Sequence, residues 1–151
     1  VLVISSSGFI ASSVKATDQR IAQITSELST QKVIQKHCDS YRLCRKVIED
    51  CKSAKNPKAY RTKHQAEYQL HDSLKKELQD LGITKIPSSN KIQKRIEHLE
   101  SEQAATVREK QELQKKQKTL DIIQQNFTVL LNAPHISNND INRTVAPPLQ
   151  H

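Results

Sequence analysis

From Tyr60 to Leu131 the chain spells out one helical hairpin. A helix closes at Leu81-Gly82, a short stop runs through Ile83-Thr84-Lys85-Ile86-Pro87-Ser88-Ser89, and about forty residues follow without a helix breaker. Nothing else in the sequence restricts the fold as strongly, and the composition agrees with it. With two glycines, no tryptophan, no methionine and 3% aromatic residues among 151, there is little material for a large closed core or a many-turned sheet. Abundant Lys, Glu, Gln and Leu instead suit long helices held along a narrow apolar seam. The expected fold class is all-α: an elongated antiparallel three-helix bundle or coiled-coil hairpin with a disordered C-terminal tail.

The expected organisation is a flanking, irregular segment over residues 1–16, a three-helix domain over 17–131 and a tail over 132–151. Within the domain the helices are placed at about 17–53, 57–81 and 90–131. Residues 1–16 combine an apolar start, Val1-Leu2-Val3-Ile4, with a serine-rich run around Gly8. Thr17 or Asp18 is the expected cap of the first helix, whose apolar positions are Ile21, Ile24, Leu28, Ile34, Cys38, Tyr41, Cys44, Ile48 and Cys51, with one slip near Gln31. Asn56-Pro57 opens the second helix, since asparagine accepts orphan amides and proline suits the first helical position. Its apolar face collects Tyr60, Tyr68, Leu70, Leu74, Leu78 and Leu81, and Gly82 stands at the expected left-handed cap. Ser88, Ser89 or Asn90 caps the third helix, with Asn90 and Gln93 spaced as a capping box.

The third helix carries Ile92, Ile96, Leu99, Thr106, Leu113, Leu120, Phe127 and Leu131 on its seam, but the alternating seam positions are Gln103, Lys110, Gln117 and Gln124. Such a half-filled seam is expected to pack loosely, protrude or find a partner. A coiled-coil interaction or oligomerisation segment, binding a helical protein or a second copy, is therefore the alternative functional reading.

Charge is unevenly placed. Lys32, Lys36, Arg42, Arg45, Lys46, Lys52, Lys55, Lys58, Arg61 and Lys63 stand against Asp39, Glu49 and Asp50, a local balance of +7 within a chain of net charge +8. Phosphate attraction follows local charge, so these ten residues are the candidate nucleic-acid contacts, and DNA backbone is the candidate partner. On the wheel of the first helix Lys32, Lys36, Arg42 and Lys46 fall opposite Ile34, Tyr41 and Ile48, which directs them to solvent.

No catalytic, cofactor-binding or metal-binding residue is assigned. His64, Glu67 and His71 have facing spacings on the second helix, but two histidines two turns apart do not reach one ion from a straight helix. They are read as a structural polar cluster. Tyr41, Tyr60 and Tyr68 lack the cationic or metal surroundings that tyrosine attack on a phosphodiester requires, and are read as packing residues. Cys38, Cys44 and Cys51 lie on one helix, beyond disulfide reach of one another, and read as small apolar residues of a reducing cytoplasm. No segment approaches the roughly 20 apolar residues of a membrane span, and Val1 to Ile10 is too short and lacks the basic leader of a signal peptide.

Five pieces of the chain carry a family resemblance: Ile34-Gln-Lys-His37 with Tyr41-Arg-Leu, Val47 to Cys51, Ala59-Tyr60-Arg61-Thr-Lys-His64-Gln-Ala-Glu67-Tyr-Gln-Leu70-His71, Leu81-Gly82 to Lys85-Ile86-Pro87, and Asp121-Ile-Ile-Gln-Gln-Asn126 to Leu131. In this order, over roughly Lys15 to Leu131, they resemble the C-terminal helical region of relaxases, the mobilisation proteins of conjugative elements and plasmids of Gram-positive bacteria. In that family a separate N-terminal domain binds a metal through histidines and nicks DNA with a tyrosine, and nothing in this chain matches that domain. The resemblance implies a non-catalytic helical module that holds DNA or recruits transfer machinery. The apolar start at Val1, unlike what precedes this region in the family, and the absence of an initial Met lead us to expect a fragment or a frameshifted remnant.

Overall fold

The structure, a computed structural model, describes residues 2–133, with side chains from residue 6 onward. Among these residues it is all-helical: α1 (Leu2–Asp50), a 3-10 turn (Cys51–Ser53), α2 (Pro57–Lys63), α3 (Gln65–Asp80) and α4 (Ser89–Asn132). No described helix is long and apolar enough to cross a membrane. The chain forms two compact units, one of Lys15–Gln111 and one that joins Val1–Val14 to Glu112–His151.

The helix boundaries follow from local chemistry. Asn56 Oδ1 accepts the Ala59 amide at 3.1 Å, with Pro57 directly after it, so α2 starts as its residues dictate. At the far end of α3, Gly82 adopts φ 80°, while its amide donates to the Gln79 carbonyl at 2.9 Å and the Ile83 amide donates to Leu78 at 2.8 Å. This pair of bonds is a Schellman stop, and it needs a residue without a Cβ at the positive φ. Ser88 Oγ then accepts the Lys91 amide at 3.2 Å and caps α4. The expected Asn90–Gln93 box does not form: Gln93 is engaged with Gln35 at 2.9 Å and Glu97 at 3.0 Å.

Four expectations are corrected. The segment 1–16 expected to be irregular is helical from Leu2 onward. Ser13 Oγ donates to the Phe9 carbonyl at 3.0 Å, a back-bond that lets serine sit inside a helix, and the space around Gly8 is open. Thr17 accordingly caps nothing, and is a buried seam residue only 3% exposed. The second helix is not continuous, because His64 (φ −106°, ψ 27°) ends α2 and begins α3, its carbonyl accepting the amides of both Glu67 and Tyr68. On α3 Leu70 is exposed, as is Leu81 just past its end, although both were placed on the apolar face. The expected tail from residue 132 begins at the last residue of α4, and residues 134–151 lie outside the described part.

The core lies in the unit Lys15–Gln111. Ile24, Leu28, Ile34 and Cys38 of α1, Leu78 of α3 and Ile92, Ile96 and Leu99 of α4 form one buried cluster, edged by Tyr41, Ile83 and Ile86. Burying each such leucine or isoleucine contributes about 1.5–3 kcal/mol. Gln31, at the slip in the apolar pattern, is half-buried between Leu28 and Ile34, so the seam continues through it. Polar seam residues of α4 find polar partners on α1. Gln103 Nε2 donates to Thr25 Oγ1 at 2.9 Å, and the Lys110 ammonium meets Asp18 at 2.6 Å. Flanking pairs join Arg20 to Glu109 at 3.4 Å, Lys32 to Glu100 at 3.2 Å, and Glu27 to Arg95.

The other unit is thinner. Ile10 and Val14 of α1 and Leu113, Gln117 and Leu120 of α4 are half-buried, and none of the unit's residues from 6 to 14 and 112 to 133 is fully buried. Gln117 Nε2 donates to Ser7 Oγ at 2.7 Å and to Asp121 at 3.1 Å. The Gln117 Oε1 atom is buried with no hydrogen-bond partner among the described residues. From Asp121 to Ala133 every residue is exposed.

Candidate nucleic-acid interface

The ten candidate cations divide by what they already touch. Lys32 is held by Glu100, and Arg45 by Glu49 at 3.0 Å. Arg42 is spanned between Asp39 at 3.0 Å and the Pro87 carbonyl, which ties the end of α1 to the turn before α4. These three serve the fold. Lys36, Lys46, Lys52, Lys55, Lys58 and Lys63 are exposed and form no ion pair among the described residues. Five of the six fall between Lys46 and Lys63, where α1 ends, the 3-10 turn follows and α2 begins. A helix end, a tight turn and a second helix start gather these exposed side chains into one short stretch of chain.

Arg61 belongs to the same bend, with its guanidinium 5.0 Å from the centroid of the Tyr68 ring. Together with Lys58, Gln65, Gln69 and Asp72 the pair lines a shallow cleft of about 390 Å³. Two cations and an aromatic face suit a phosphate with an attached ring, while Asp72 limits how much negative charge the cleft accepts.

Tyr60 ties this bend to the end of α1. Tyr60 donates its hydroxyl to the Val47 carbonyl at 2.9 Å and leans on His64, ring centroids 4.3 Å apart. Burial raises the Tyr60 phenol, and Asp50, Cys51 and Glu67 add to the shift by repelling a phenolate. A tyrosine held protonated in this way packs and donates, in keeping with its reading as a packing residue. Cys38 and Cys44 are buried free thiols whose ionisation is pushed up first by burial, and Cys51 is a half-buried free thiol.

Of the polar trio, His64 Nδ1 lies 3.4 Å from Glu67 Oε1, whereas His71 is drawn elsewhere. It stacks on Tyr41 of α1, centroids 4.6 Å apart and planes 24° apart, with Asp72 at 3.4 Å. The Glu67 carboxyl is lowered first by a hydrogen bond from its own backbone amide and then by His64. Among the described residues no group of three or more His, Cys, Asp and Glu side chains is arranged to hold a metal ion. The residues that sequence reasoning missed are the carboxylates across the helix faces, Glu100 and Glu27 in particular. They flank the seam at positions that pair charges between helices, and that was the available signal.

Compared with known proteins, the chain matches no family model, no curated protein and no solved structure.

Proposed function

We propose that this chain is a non-catalytic helical accessory module of a cytoplasmic, relaxase-like DNA-mobilisation protein, contacting the phosphate backbone of DNA through the basic bend. The observation that carries the DNA contact is the set of unpaired lysines at Lys46, Lys52, Lys55, Lys58 and Lys63, beside Lys36 and Arg61. The mobilisation context rests on the residue resemblance given above. On this reading α1, the α2–α3 pair and α4 form an antiparallel three-helix arrangement whose task is to present the bend. As α1 rises from residue 18 to 35, its α4 partner falls from 110 to 93, which supports an antiparallel α1–α4 pair, and as α1 rises from His37 to Tyr41 its α3 partner falls from Glu77 to His71.

The test is fluorescence anisotropy with single-stranded and duplex DNA over a salt series. Four to six phosphate contacts give a slope of log K against log salt of about −4 to −5 on duplex. Reversing Lys52, Lys55, Lys58 and Lys63 to glutamate abolishes binding, whereas reversing Lys32 and Arg45 does not. Absence of salt-dependent binding sinks the proposal.

A further inference from the structure

The C-terminal stretch of α4 keeps a seam for which the described chain supplies no cover. Leu120, Ile123, Phe127, Leu130 and Leu131 fall within about 100° of one another around the helix. Leu120 is half-buried, but Ile123 is 47%, Phe127 61%, Leu130 74% and Leu131 70% exposed. The reason is one of register. Gln117 meets Ser7, so counting one residue back along α1 for each residue forward along α4 sets Leu2 opposite about residue 122. Beyond that point the described residues hold nothing opposite the stripe. We propose that a second copy of this chain covers it, the two α4 ends packing antiparallel about a twofold axis near residue 125.

Three features favour a second copy. The stripe is self-complementary: across a twofold at that position Ile123 of one copy faces Phe127 of the other, and Leu120 faces Leu130. Such an isologous contact closes on itself and does not propagate. Charge does not oppose it. From Thr119 to Ala133 the only charged residue is Asp121, which lies off the stripe. An acidic or polyanionic partner would find no cation there. The area also suits a small homotypic contact. The four exposed side chains present on the order of 500 Å² per chain, so the pair buries up to about 1,000 Å², the lower limit for a specific contact.

This inference is independent of the phosphate-binding reading. Sedimentation velocity of the full 151-residue chain, from about 1 to about 500 µM without DNA, is expected to show a monomer–dimer equilibrium within that range. Ile123→Glu with Leu130→Glu is expected to weaken dimerisation at least tenfold while leaving helical circular dichroism unchanged. Ile122→Glu with Val129→Glu, on the opposite side of the same helix, is expected to change it less than about twofold. A chain that stays monomeric throughout overturns the proposal. So does a dimer indifferent to the first pair, or one equally sensitive to the second.

Discussion

The two compact units are built from the same two long helices, yet they differ in what they exclude from water. In Lys15–Gln111, Cys38 and Leu99 are 0% exposed and Leu78 is 1% exposed. In the other unit, no residue from 6 to 14 or from 112 to 133 is fully buried. A third helix accounts for part of the difference, since Leu78 of α3 joins Ile34, Cys38, Ile92, Ile96 and Leu99 in one buried cluster. Thr17 is 3% and Thr106 1% exposed although α3 meets α1 at His37 and Tyr41, about 30 Å further along, so in this unit α1 and α4 also bury seam residues by themselves. Polar seam residues follow the same contrast. Gln103 and Lys110 meet dedicated partners in the first unit, while Gln117 in the second keeps one buried oxygen without any. Buried helical surface here is a property of neighbours rather than of the helix's own sequence.

The hardest test of that contrast is to truncate equivalent seam leucines. Leu99→Ala is expected to cost about 2–5 kcal/mol in urea unfolding, and Leu130→Ala within about 0.5 kcal/mol below the dimerisation range. Equal losses would erase the distinction. Next in size, Gln117→Leu removes an oxygen buried without a partner, and is expected to stabilise by about 1 kcal/mol despite losing the Ser7 bond. Destabilisation would mean that the thin unit depends on its polar bonds as heavily as the thick one. A smaller effect is expected for Lys110→Met, about 0.5–1 kcal/mol of destabilisation, because the Asp18 contact is partly solvated and both partners keep access to water.

The smallest effect bears on α3, the helix that distinguishes the units. The folded Glu67 carboxyl is depressed, so its contribution is complete above the unfolded carboxylate pKa and is lost as pH falls through the folded value. Thermal melts across the acid range should therefore show a shallower loss in Glu67→Gln than in the parent chain. An unchanged acid limb would remove Glu67 from the list of contributors.

Local signals proved sufficient where the chemistry is local. Asn56-Pro57, Leu81-Gly82 and Ser88 announce their caps because the bonds involved span five residues or fewer. The apolar seam was legible for the same reason, since spacing alone sets which residues share a helix face. Serine and glycine before Lys15 signal a loop only in isolation, and here Ser13 satisfies its hydroxyl within the helix. The break at His64 carries no glycine or proline to announce it. Nor could spacing show that His71 leaves Glu67 for Tyr41, 30 residues earlier in the chain, because that contact exists only after α1 and α3 dock. The basic run shows the same limit. Lys32 and Lys46 look alike in sequence, and only the partner helix decides that the first is occupied by Glu100.

The bond between Ser7 and Gln117 joins residues 110 apart in the chain, while the contact of His37 with Glu77 joins residues 40 apart. Closing a long loop costs more chain entropy than closing a short one, and contacts of high sequence separation form late. On these grounds the contacts at the outermost turns of α1 are expected to form after those nearer its C-terminal end. On a ribosome, α1 is made before any part of α4, so its apolar stripe waits for its α4 partner while the intervening residues are added. That interval, rather than the finished fold, is when this chain is most exposed to chaperones and to misassociation.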